Sequence, residues 1–370
     1  MTSILLQPRA CGIRLVLVFG SREDGRMDAD TPAQHRAAAA ERAVLERYLH
    51  RYGPVAWAHA SVADARSART WHYWWHAHLI HLLADAERNR PDPRRRRLLR
   101  RLGRGVTLRT IGRWTTPFYD DIAWMGLGLF TSRANPRAFR KIAGRLHEAI
   151  DPGVGALPWS VGSALYNAPA NAPGAMVLAL TGHRTEAERL ADWMASTLDD
   201  DTTGLVRDGI EHDAVRPDLW TYNQGATIGL ELLLGESAID ETDAAWRHVR
   251  RARELVHAVE RWCADDGGLF PAAGGGDGGL FAGILARYLA DAAAELSESE
   301  DDEGDAAAHA ARRLVERNAD ALWEGRRDGL FPADPRRAAV ADGDDLDLSV
   351  QLGAWITLEA AATLDRLLTS

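Results

Sequence analysis

Apolar residues recur along most of the chain at the three- and four-residue spacing of an amphipathic helix. From Thr31 onward almost every strongly patterned segment has this spacing, and no convincing alternation of apolar and polar residues predicts a strand. Loops rich in glycine, proline and aspartate separate the segments. The pattern predicts an all-α protein with helices over residues 33–50, 66–88, 104–113, 118–133, 136–150, 171–181, 184–199, 221–235, 241–263, 278–294, 304–322 and 347–368.

One loop sequence recurs three times between these helices. Each copy combines an aspartate with a glycine and a following leucine, and its glycines are Gly204, Gly268 and Gly329, separated by 64 and 61 residues. A period of about 60 residues fits two helices and two loops, which leaves room after Thr31 for about six such units. We therefore expect a closed double ring of about twelve helices, the (α/α)6 barrel, in preference to an open superhelical solenoid.

The long loops of such a ring meet at one end, where ligands bind on a rigid scaffold. The segments expected there are 151–170, 200–220, 264–279 and 323–346. Closed helical rings of this size form one unit, so a single domain is expected over residues 27–370.

Residues 1–26 are interpreted as an N-terminal extension. They have no helical pattern, and Arg14 interrupts their short apolar stretch without a cleavage site following it. We expect this extension to be dispensable, and the pattern favours a cytoplasmic location.

The overall charge excludes some classes of partner. The formal net charge is −9 and the isoelectric point is about 5.8, so no basic face is expected for nucleic acid or an anionic membrane. The basic run in residues 91–97 lacks interleaved aromatic residues, and we interpret it as a solvated loop and helix start. No apolar run reaches the length of a membrane span.

Two residue types narrow the chemistry. Cys11 and Cys263 are the only cysteines, so neither a disulfide framework nor a thiolate metal site is expected. The 13 tryptophans outnumber the 7 tyrosines and the 7 phenylalanines, which is unusual. Tryptophan is favoured where a flat apolar surface meets a polar ligand, and a carbohydrate cleft is one such place.

Asp120 and Asp121 lie within an otherwise aromatic and apolar stretch, residues 114–130. A helix here places both carboxylates near a core and beside Tyr119 and Trp124, surroundings that carboxylates rarely accept without a function. Aromatic rings beside paired acids suit a sugar, because one acid can protonate a glycosidic oxygen while the other attacks or stabilises C1. The alternative is an N-cap acid followed by a solvated neighbour. A magnesium–diphosphate site is disfavoured, because Trp124 stands where an Asp-Asp-x-x-Asp motif has its third acid.

A second polar block, Thr-Tyr-Asn-Gln-Gly at residues 221–225, opens an apolar helix. Asn223 and Gln224 carry donors and acceptors that match neighbouring sugar hydroxyls, and Tyr222 adds a stacking face. The alternative is a helix cap at the threonine followed by two structural amides. Asp208, in the loop upstream, is a weaker candidate for a sugar contact.

Histidines and aromatic residues are concentrated in residues 71–81. His72 and His76 are one helical turn apart, but no HExxH acid and no third ligand accompany them, so no metal site is predicted. We expect Trp75 with His76 or His78 to line the sugar cleft. The remaining candidates for substrate binding are Asn167, Asn171, Phe281, Arg287 and Tyr288. For Phe281, Arg287 and Tyr288 core packing is an equally good interpretation, and single residues such as Asn167 and Asn171 are usually structural.

In order and approximate spacing these segments resemble glycoside hydrolase family 76. The resemblance is carried by Tyr-Asp-Asp-Ile-Ala-Trp at 119–124, Tyr-Asn-Gln-Gly at 222–225, and Gly-Asp-Gly-Gly-Leu-Phe-Ala-Gly-Ile at 276–284 with Arg-Tyr at 287–288. Tyr-Trp-Trp-His-Ala-His at 73–78 and the stretch 167–172 are also similar. The resemblance therefore covers most of the chain from about Thr31 to the end.

The resemblance implies an (α/α)6 barrel that hydrolyses α-1,6-linked mannan or manno-oligosaccharides by endo-acting cleavage, with retention of anomeric configuration and without a cofactor. Asp120 would be the nucleophile and Asp121 the general acid/base. Ala282 departs from the family, whose members commonly carry lysine there, so a charged contact with substrate is missing. Fungal members resemble cell-wall transglycosidases, which makes transfer on α-mannan an alternative to hydrolysis.

Other functional classes fit the sequence less well than a mannan hydrolase. A non-catalytic carbohydrate-binding toroid is disfavoured because both acids are present. A sugar epimerase or an unsaturated-uronide hydrolase of the same helical fold would need catalytic histidines or acids on separate helices. The sequence does not determine the oligomeric state.

Overall fold

The computed structural model describes residues 31–63, 70–236, 243–298 and 302–369. Within these residues it contains α1 (Pro32–Tyr48), α2 (Tyr73–Asn89), α3 (Pro93–Arg109), α4 (Tyr119–Ser132), α5 (Pro136–His147), α6 (Ala168–Leu180), α7 (Arg184–Leu198), α8 (Thr221–Gly235), α9 (Asp243–Ala258), α10 (Phe281–Glu295), α11 (Asp302–Gly325) and α12 (Leu348–Thr369). The extension predicted over residues 1–26 lies outside the described residues. None of the helices in the described part of the chain combines the length and apolar character needed to cross a bilayer.

The twelve helices form two concentric rings. In the inner ring α2 packs on α4, α4 on α6, α6 on α8, α8 on α10 and α10 on α12, and α12 closes the ring by packing on α2. The odd-numbered helices lie outside, each against the inner helix next to it in the chain, with α1 on α12. Because the ring closes, the predicted (α/α)6 barrel is confirmed and the open solenoid is excluded.

The apolar pattern of each helix explains which ring it joins. Inner helices are buried on nearly every side, as in α8, where every residue except Tyr222 is buried. Outer helices carry a single apolar stripe. In α5 the buried residues are Ala138, Phe139, Ile142, Ala143 and Leu146. Helices that are apolar all round must lie between other helices, so they form the inner wall of the barrel.

The largest departure from the predicted helices lies around residues 89–110. The structure begins α3 at Pro93 instead of residue 104, because Asp92 accepts a hydrogen bond from the backbone N–H of Arg94 and caps the helix. The basic run in residues 91–97 was predicted to be solvated, but only part of it is exposed. Arg95 is buried and donates two hydrogen bonds, of 2.6 and 2.8 Å, to the Glu41 carboxylate on α1. An ion pair between two outer helices therefore replaces the predicted loop.

The structure also contains two small antiparallel sheets. The sequence pattern did not predict them. The first joins β1 (Leu49–Tyr52) to β2 (Val55–Ala58), and the second has the order β3 (Leu165–Asn167), β4 (Gly209–Glu211) and β5 (Ala214–Arg216). Strands of three or four residues are too short to produce a recognisable alternation. The second sheet matters for function, because it joins the long loop before α6 to the long loop before α8.

The repeated loop adopts one backbone conformation. Gly204, Gly268 and Gly329 have φ angles of +71°, +76° and +76°, in the left-handed region that favours glycine. The leucine that follows each glycine is buried. The repeat seen in the sequence is therefore a repeated turn, which returns the chain from an outer helix toward the next inner helix.

Candidate active site

A cleft opens where the first turns of α2, α4, α6, α8 and α10 meet. The side chains that line it are Trp71, His72, Tyr73, Trp74, Phe118, Asp120, Asp121, Trp124, Trp159, Ser163, Leu165, Asn167, Asp208, Glu211, Arg216, Tyr222, Asp277 and Phe281. Three of the long loops predicted to form the cleft contribute to it. The fourth, residues 323–346, does not. The cleft is therefore built asymmetrically, from the first five inner helices and their loops.

The two aspartates occupy the first turn of α4, whose N-cap is Phe118. Neither acid is the N-cap residue, so the capping interpretation is wrong. The backbone N–H of Tyr119 donates to the carbonyl of Trp159 at 2.8 Å, and the N–H of Val161 donates to the carbonyl of Pro117 at 2.9 Å. These two bonds hold the loop before α6 against the start of α4, which places the Trp159 side chain over the acids.

Asp120 is held by directed hydrogen bonds. Its Oδ2 accepts from the indole Nε1 of Trp159 at 2.9 Å, and its Oδ1 accepts from the backbone N–H of Asp121 at 2.8 Å. Burial raises the pKa of Asp120 to about 6, and these two hydrogen bonds oppose the rise because they stabilise the ionised form. Asp120 is thus the more readily ionised acid of the pair.

Asp121 has a less polar environment. Among the described residues, its carboxylate accepts one side-chain hydrogen bond, from the hydroxyl of Thr116 at 3.3 Å. Burial, together with the charge of neighbouring Asp120, raises the pKa of Asp121 to about 8. At neutral pH one carboxyl of the pair is therefore protonated and the other ionised, the state that acid-assisted cleavage of a glycosidic bond requires.

The carboxylate of Asp277 also lines the cleft. The sequence pattern had not assigned it a role. Its Oδ1 accepts hydrogen bonds from the indole Nε1 atoms of Trp74 and Trp75, both at 2.8 Å. The charge of Asp277 contributes to the raised pKa values of Asp120 and Asp121. The signal that could have found it is its position as the single acid within the glycine-rich block before α10.

Aromatic side chains form two walls of the cleft. On one side the rings of Phe118 and Trp159 lie 4.9 Å apart. On the other side Tyr222 stacks on Phe281, with ring centroids 4.0 Å apart and an interplanar angle of 9°, and Trp220 lies 5.6 Å from Phe281. Flat aromatic faces around half-buried acids are suited to the apolar face of a sugar ring.

The structure brings seven of the predicted site residues together in this cleft. They are Asp120, Asp121, Trp124, Asn167, Asp208, Tyr222 and Phe281. Asp208 is buried and accepts a hydrogen bond from the amide of Asn223 at 3.3 Å. Glu211 and Arg216, which form an ion pair on β4 and β5, also line the cleft and were not predicted. Charged residues on a short exposed hairpin have no distinguishing pattern in the sequence.

The predicted amide contacts with substrate at Asn171 and Gln224 are corrected by the structure. Both side chains are fully buried. Gln224 accepts from the N–H of Val206 and donates to its carbonyl, each at 2.8 Å, and Asn171 forms the same pair of bonds with Leu157 at 2.8 and 2.9 Å. These amides bind the backbone of the cleft loops, and Asn223, also fully buried, supports Asp208 from behind.

Four more predicted contacts, Trp75, His76, His78 and Tyr119, lie behind the cleft wall. All four are buried and none lines the cleft. Trp75 supports Asp277, and His76 Nε2 accepts from the backbone N–H of Ala58 at 2.9 Å. The ring of His78 lies 4.8 Å from Trp124, and burial holds its pKa well below the usual range, so it is neutral. A helix that is buried on all sides leaves only its first turn to face the cleft.

Arg287 and Tyr288 are also corrected. They line a separate pocket toward the C-terminal halves of the inner helices, together with Asp85. Arg287 Nη2 lies 2.9 Å from Asp85 Oδ2, so this buried ion pair joins α10 to α2. The sequence places these residues close to Phe281, but two helical turns carry them away from the cleft.

The sequence model of Glycosyl hydrolase family 76 matches residues 34–351. The α-1,6-mannanase GH76A of Salegentibacter sp. HEL1_6 superimposes with a TM-score of 0.78 at 24% identity, covering 90% of this chain and 99% of that chain. An inactive variant of that mannanase, with two consecutive aspartates replaced by asparagine, was solved with α-1,6-mannotriose and also superimposes with a TM-score of 0.78, at 22% identity over 90% of this chain and 99% of that one.

A more distant fungal structure shares the fold. Dfg5 from Chaetomium thermophilum, solved in complex with glucosamine, superimposes with a TM-score of 0.65 at 14% identity, covering 91% of this chain and 92% of that chain. No curated protein matches the chain significantly.

Proposed function

Because the chain belongs to glycosyl hydrolase family 76 and is a glycosidase, we propose that it cleaves α-1,6-mannosidic linkages within mannan or manno-oligosaccharides. The observation that carries the proposal is the pair of adjacent, half-buried acids, with pKa values of about 6 and about 8, in an aromatic cleft. A binding protein needs the aromatic walls but not the two acids in different protonation states.

The roles of the two acids follow from their environments. Asp120 accepts two hydrogen bonds and is the more readily ionised, so it is the nucleophile that attacks C1 of the mannosyl unit. Asp121 has the higher pKa and remains protonated at neutral pH, so it protonates the departing glycosidic oxygen. Once it has lost its proton, Asp121 is the base that activates the water which hydrolyses the mannosyl–Asp120 ester.

Retention of configuration follows from this proposal. Consecutive residues have Cα atoms about 3.8 Å apart, so their carboxyl groups can reach the spacing of about 5 Å that a retaining pair needs. An inverting pair is about 6.5–9.5 Å apart, because a water molecule must fit between the acid and the base. Adjacent acids on one helical turn favour the shorter spacing.

The substrate class is proposed from the cleft and from its similarity to known structures. The cleft has stacked aromatic walls and a buried carboxylate, Asp208, that can accept hydrogen bonds from sugar hydroxyls. The related Salegentibacter structure holds α-1,6-mannotriose. Transfer to a second sugar is the variant of this reaction that the same two acids would support, because a sugar hydroxyl can replace water in the second step.

The test is incubation of the purified protein with linear α-1,6-mannan and with α-1,6-mannotetraose, followed by separation of the products. Short oligosaccharides released from within the polymer are expected, and the first anomer seen by proton NMR should be α. Early appearance of the β-anomer would overturn retention and the role of Asp120. If the same sample cleaves another glycan but neither the mannan nor the mannotetraose, the proposed substrate class is wrong. Products longer than the starting tetraose would identify transfer.

A further inference from the structure

Two histidines and one glutamate converge on the outer ring, away from the residues that line the cleft. His147 is the last residue of α5, His183 immediately precedes α7, and Glu186 lies in the first turn of α7. One ligand atom from each of the three side chains lies within 4.8 Å of the other two. The residues come from two segments of chain that are about one helical hairpin apart, so only the fold brings them together.

Local structure explains the convergence. The backbone N–H of His183 donates to the carbonyl of Leu178 at 2.9 Å, which turns the chain after α6 and sets the start of α7. Positions three residues apart on a helix share a face, so Glu186 lies on the same side as His183. The rings of His147 and His183 are 4.4 Å apart between centroids, and His147 Nε2 lies 3.7 Å from Glu186 Oε1.

The cluster is accessible from solvent and combines two imidazole rings with one carboxylate. His147 is exposed, while His183 and Glu186 are half-buried. The side chains can therefore rotate, and solvent can reach the remaining coordination positions.

We propose that His147, His183 and Glu186 form a binding site for a divalent transition-metal ion of the Zn²⁺ type. Each histidine would supply one imidazole nitrogen, Glu186 one carboxylate oxygen, and water the fourth ligand. Two nitrogen ligands select against Mg²⁺ and Ca²⁺, which prefer oxygen. The ion would connect the end of α5 to the start of α7, and its role is structural, because none of the three residues lines the cleft.

The geometry requires only a small contraction. Ligands about 2.0–2.1 Å from a tetrahedral ion are about 3.4 Å from one another. The His147–Glu186 atoms are already 3.7 Å apart. The other distances between ligand atoms are at most 4.8 Å, and side-chain rotations can shorten them without movement of either helix.

The test uses untagged full-length protein freed of metal with a chelator, titrated with Zn²⁺ by calorimetry and with Co²⁺ by visible absorption. The variants are His147→Ala and Glu186→Gln, and the matched control is His309→Ala, which removes an exposed histidine from α11. One equivalent of Zn²⁺ should bind to the wild type and to the control, with the intense visible bands of four-coordinate Co²⁺.

Each cluster variant should bind at least ~10-fold more weakly and lose those bands. Melting temperatures measured in chelator should be equal for all four proteins, which separates a lost ligand from a damaged fold. Failure of the wild type to bind Zn²⁺, or equal affinity in the wild type and both cluster variants, would overturn the proposal. Neither result bears on the glycosidase activity, because the readout is metal binding alone.

Discussion

The indole nitrogen of Trp159 donates a 2.9 Å hydrogen bond to Oδ2 of Asp120. This bond crosses between two segments that lie far apart in the sequence, the start of α4 and the loop before α6. It lowers the pKa of Asp120 relative to what burial alone would produce, while the bond that Asp121 accepts from the Thr116 hydroxyl is longer, at 3.3 Å. The difference between the two adjacent acids therefore combines a local hydrogen bond, from the N–H of Asp121 to Asp120, with this tertiary contact.

Replacing either acid by its amide should abolish most of the activity. Asp120→Asn and Asp121→Asn are each expected to lower kcat/KM on α-1,6-mannan by at least ~10³-fold, because each removes a role that solvent does not fill. Asp201→Asn, at an exposed loop position, is the matched control and should retain full activity. Circular dichroism should show an unaltered fold for all three variants. Near-normal turnover in either acid variant would remove that residue from the mechanism.

Trp159→Phe keeps an aromatic ring beside Phe118 but removes the hydrogen bond to Asp120. The pKa of Asp120 should rise, since the lost bond stabilised the ionised form. The acidic limb of the kcat/KM profile should move to higher pH, and activity at neutral pH should fall by about 10-fold, the value of one hydrogen bond to a charged group. Trp220→Phe changes a tryptophan beside Phe281 and should leave the limb in place. An unchanged acidic limb in Trp159→Phe would show that the bond does not set the pKa of Asp120.

Asp277→Asn should shift the whole pH profile. For the wild type a bell-shaped kcat/KM profile is expected, with limbs near pH 6 for Asp120 and pH 8 for Asp121. The negative charge of Asp277 raises both pKa values, so its removal should move both limbs to lower pH. Asparagine retains an oxygen that can accept from Trp74 and Trp75. If the limbs stay in place while kcat/KM falls, Asp277 contacts substrate without acting on the acids.

The raised pKa of Asp121 predicts a pH-dependent gain in stability for Asp121→Asn. Folding raises this pKa from 3.8 to about 8, so the protonated form contributes stability that is present at low pH and is lost as pH rises toward 8. The neutral amide does not ionise. The melting temperature of the variant should equal that of the wild type near pH 4 and exceed it by ~2 °C or more near pH 8. A constant difference across this range would contradict the raised pKa.

Gln224→Leu should cost stability more than substrate affinity. Its amide makes two hydrogen bonds to the backbone of Val206, and their loss leaves a buried N–H and a buried carbonyl unpaired, at a cost of about 2–4 kcal/mol. Gln351 makes the same pair of bonds to Phe331, so Gln351→Leu is a matched comparison. Urea unfolding and KM are measured for both variants. A large rise in KM with an unchanged free energy of unfolding would restore the substrate-contact role for Gln224.

Much of the fold could be predicted from the sequence, because helical spacing and a repeated glycine turn are local patterns. Gly204, Gly268 and Gly329 indicate the repeat, since a left-handed backbone position favours glycine wherever the turn lies in the fold. The start of α3 was missed although Asp92 and Pro93 are a local signal for it, because the residues that follow are basic and the partner that buries Arg95 is Glu41, on another helix. The short strands were missed because three or four residues cannot show a periodicity.

The same distinction between local patterns and tertiary contacts applies to the candidate site. Asp120 and Asp121 stand out in the sequence because two carboxylates within an apolar and aromatic stretch are costly to bury and therefore imply a function. A side-chain amide carries no such signal. Gln224 has the same chemistry whether it binds a sugar hydroxyl or the backbone of Val206, and only the position of the neighbouring loop decides between them.

The sequence by itself determined the helical class, the repeated turn, the family resemblance and the pair of acids, because each is written in consecutive or regularly spaced residues. The tertiary structure alone decided which tryptophans face the cleft and that the charge of Asp277 raises the pKa values of Asp120 and Asp121. It also supplied the surroundings that give Asp121 the higher pKa, as its role of general acid requires. The physical reason is that burial, hydrogen bonding and charge at a site depend on atoms from segments far apart in the chain, and their distances are set only when the ring closes.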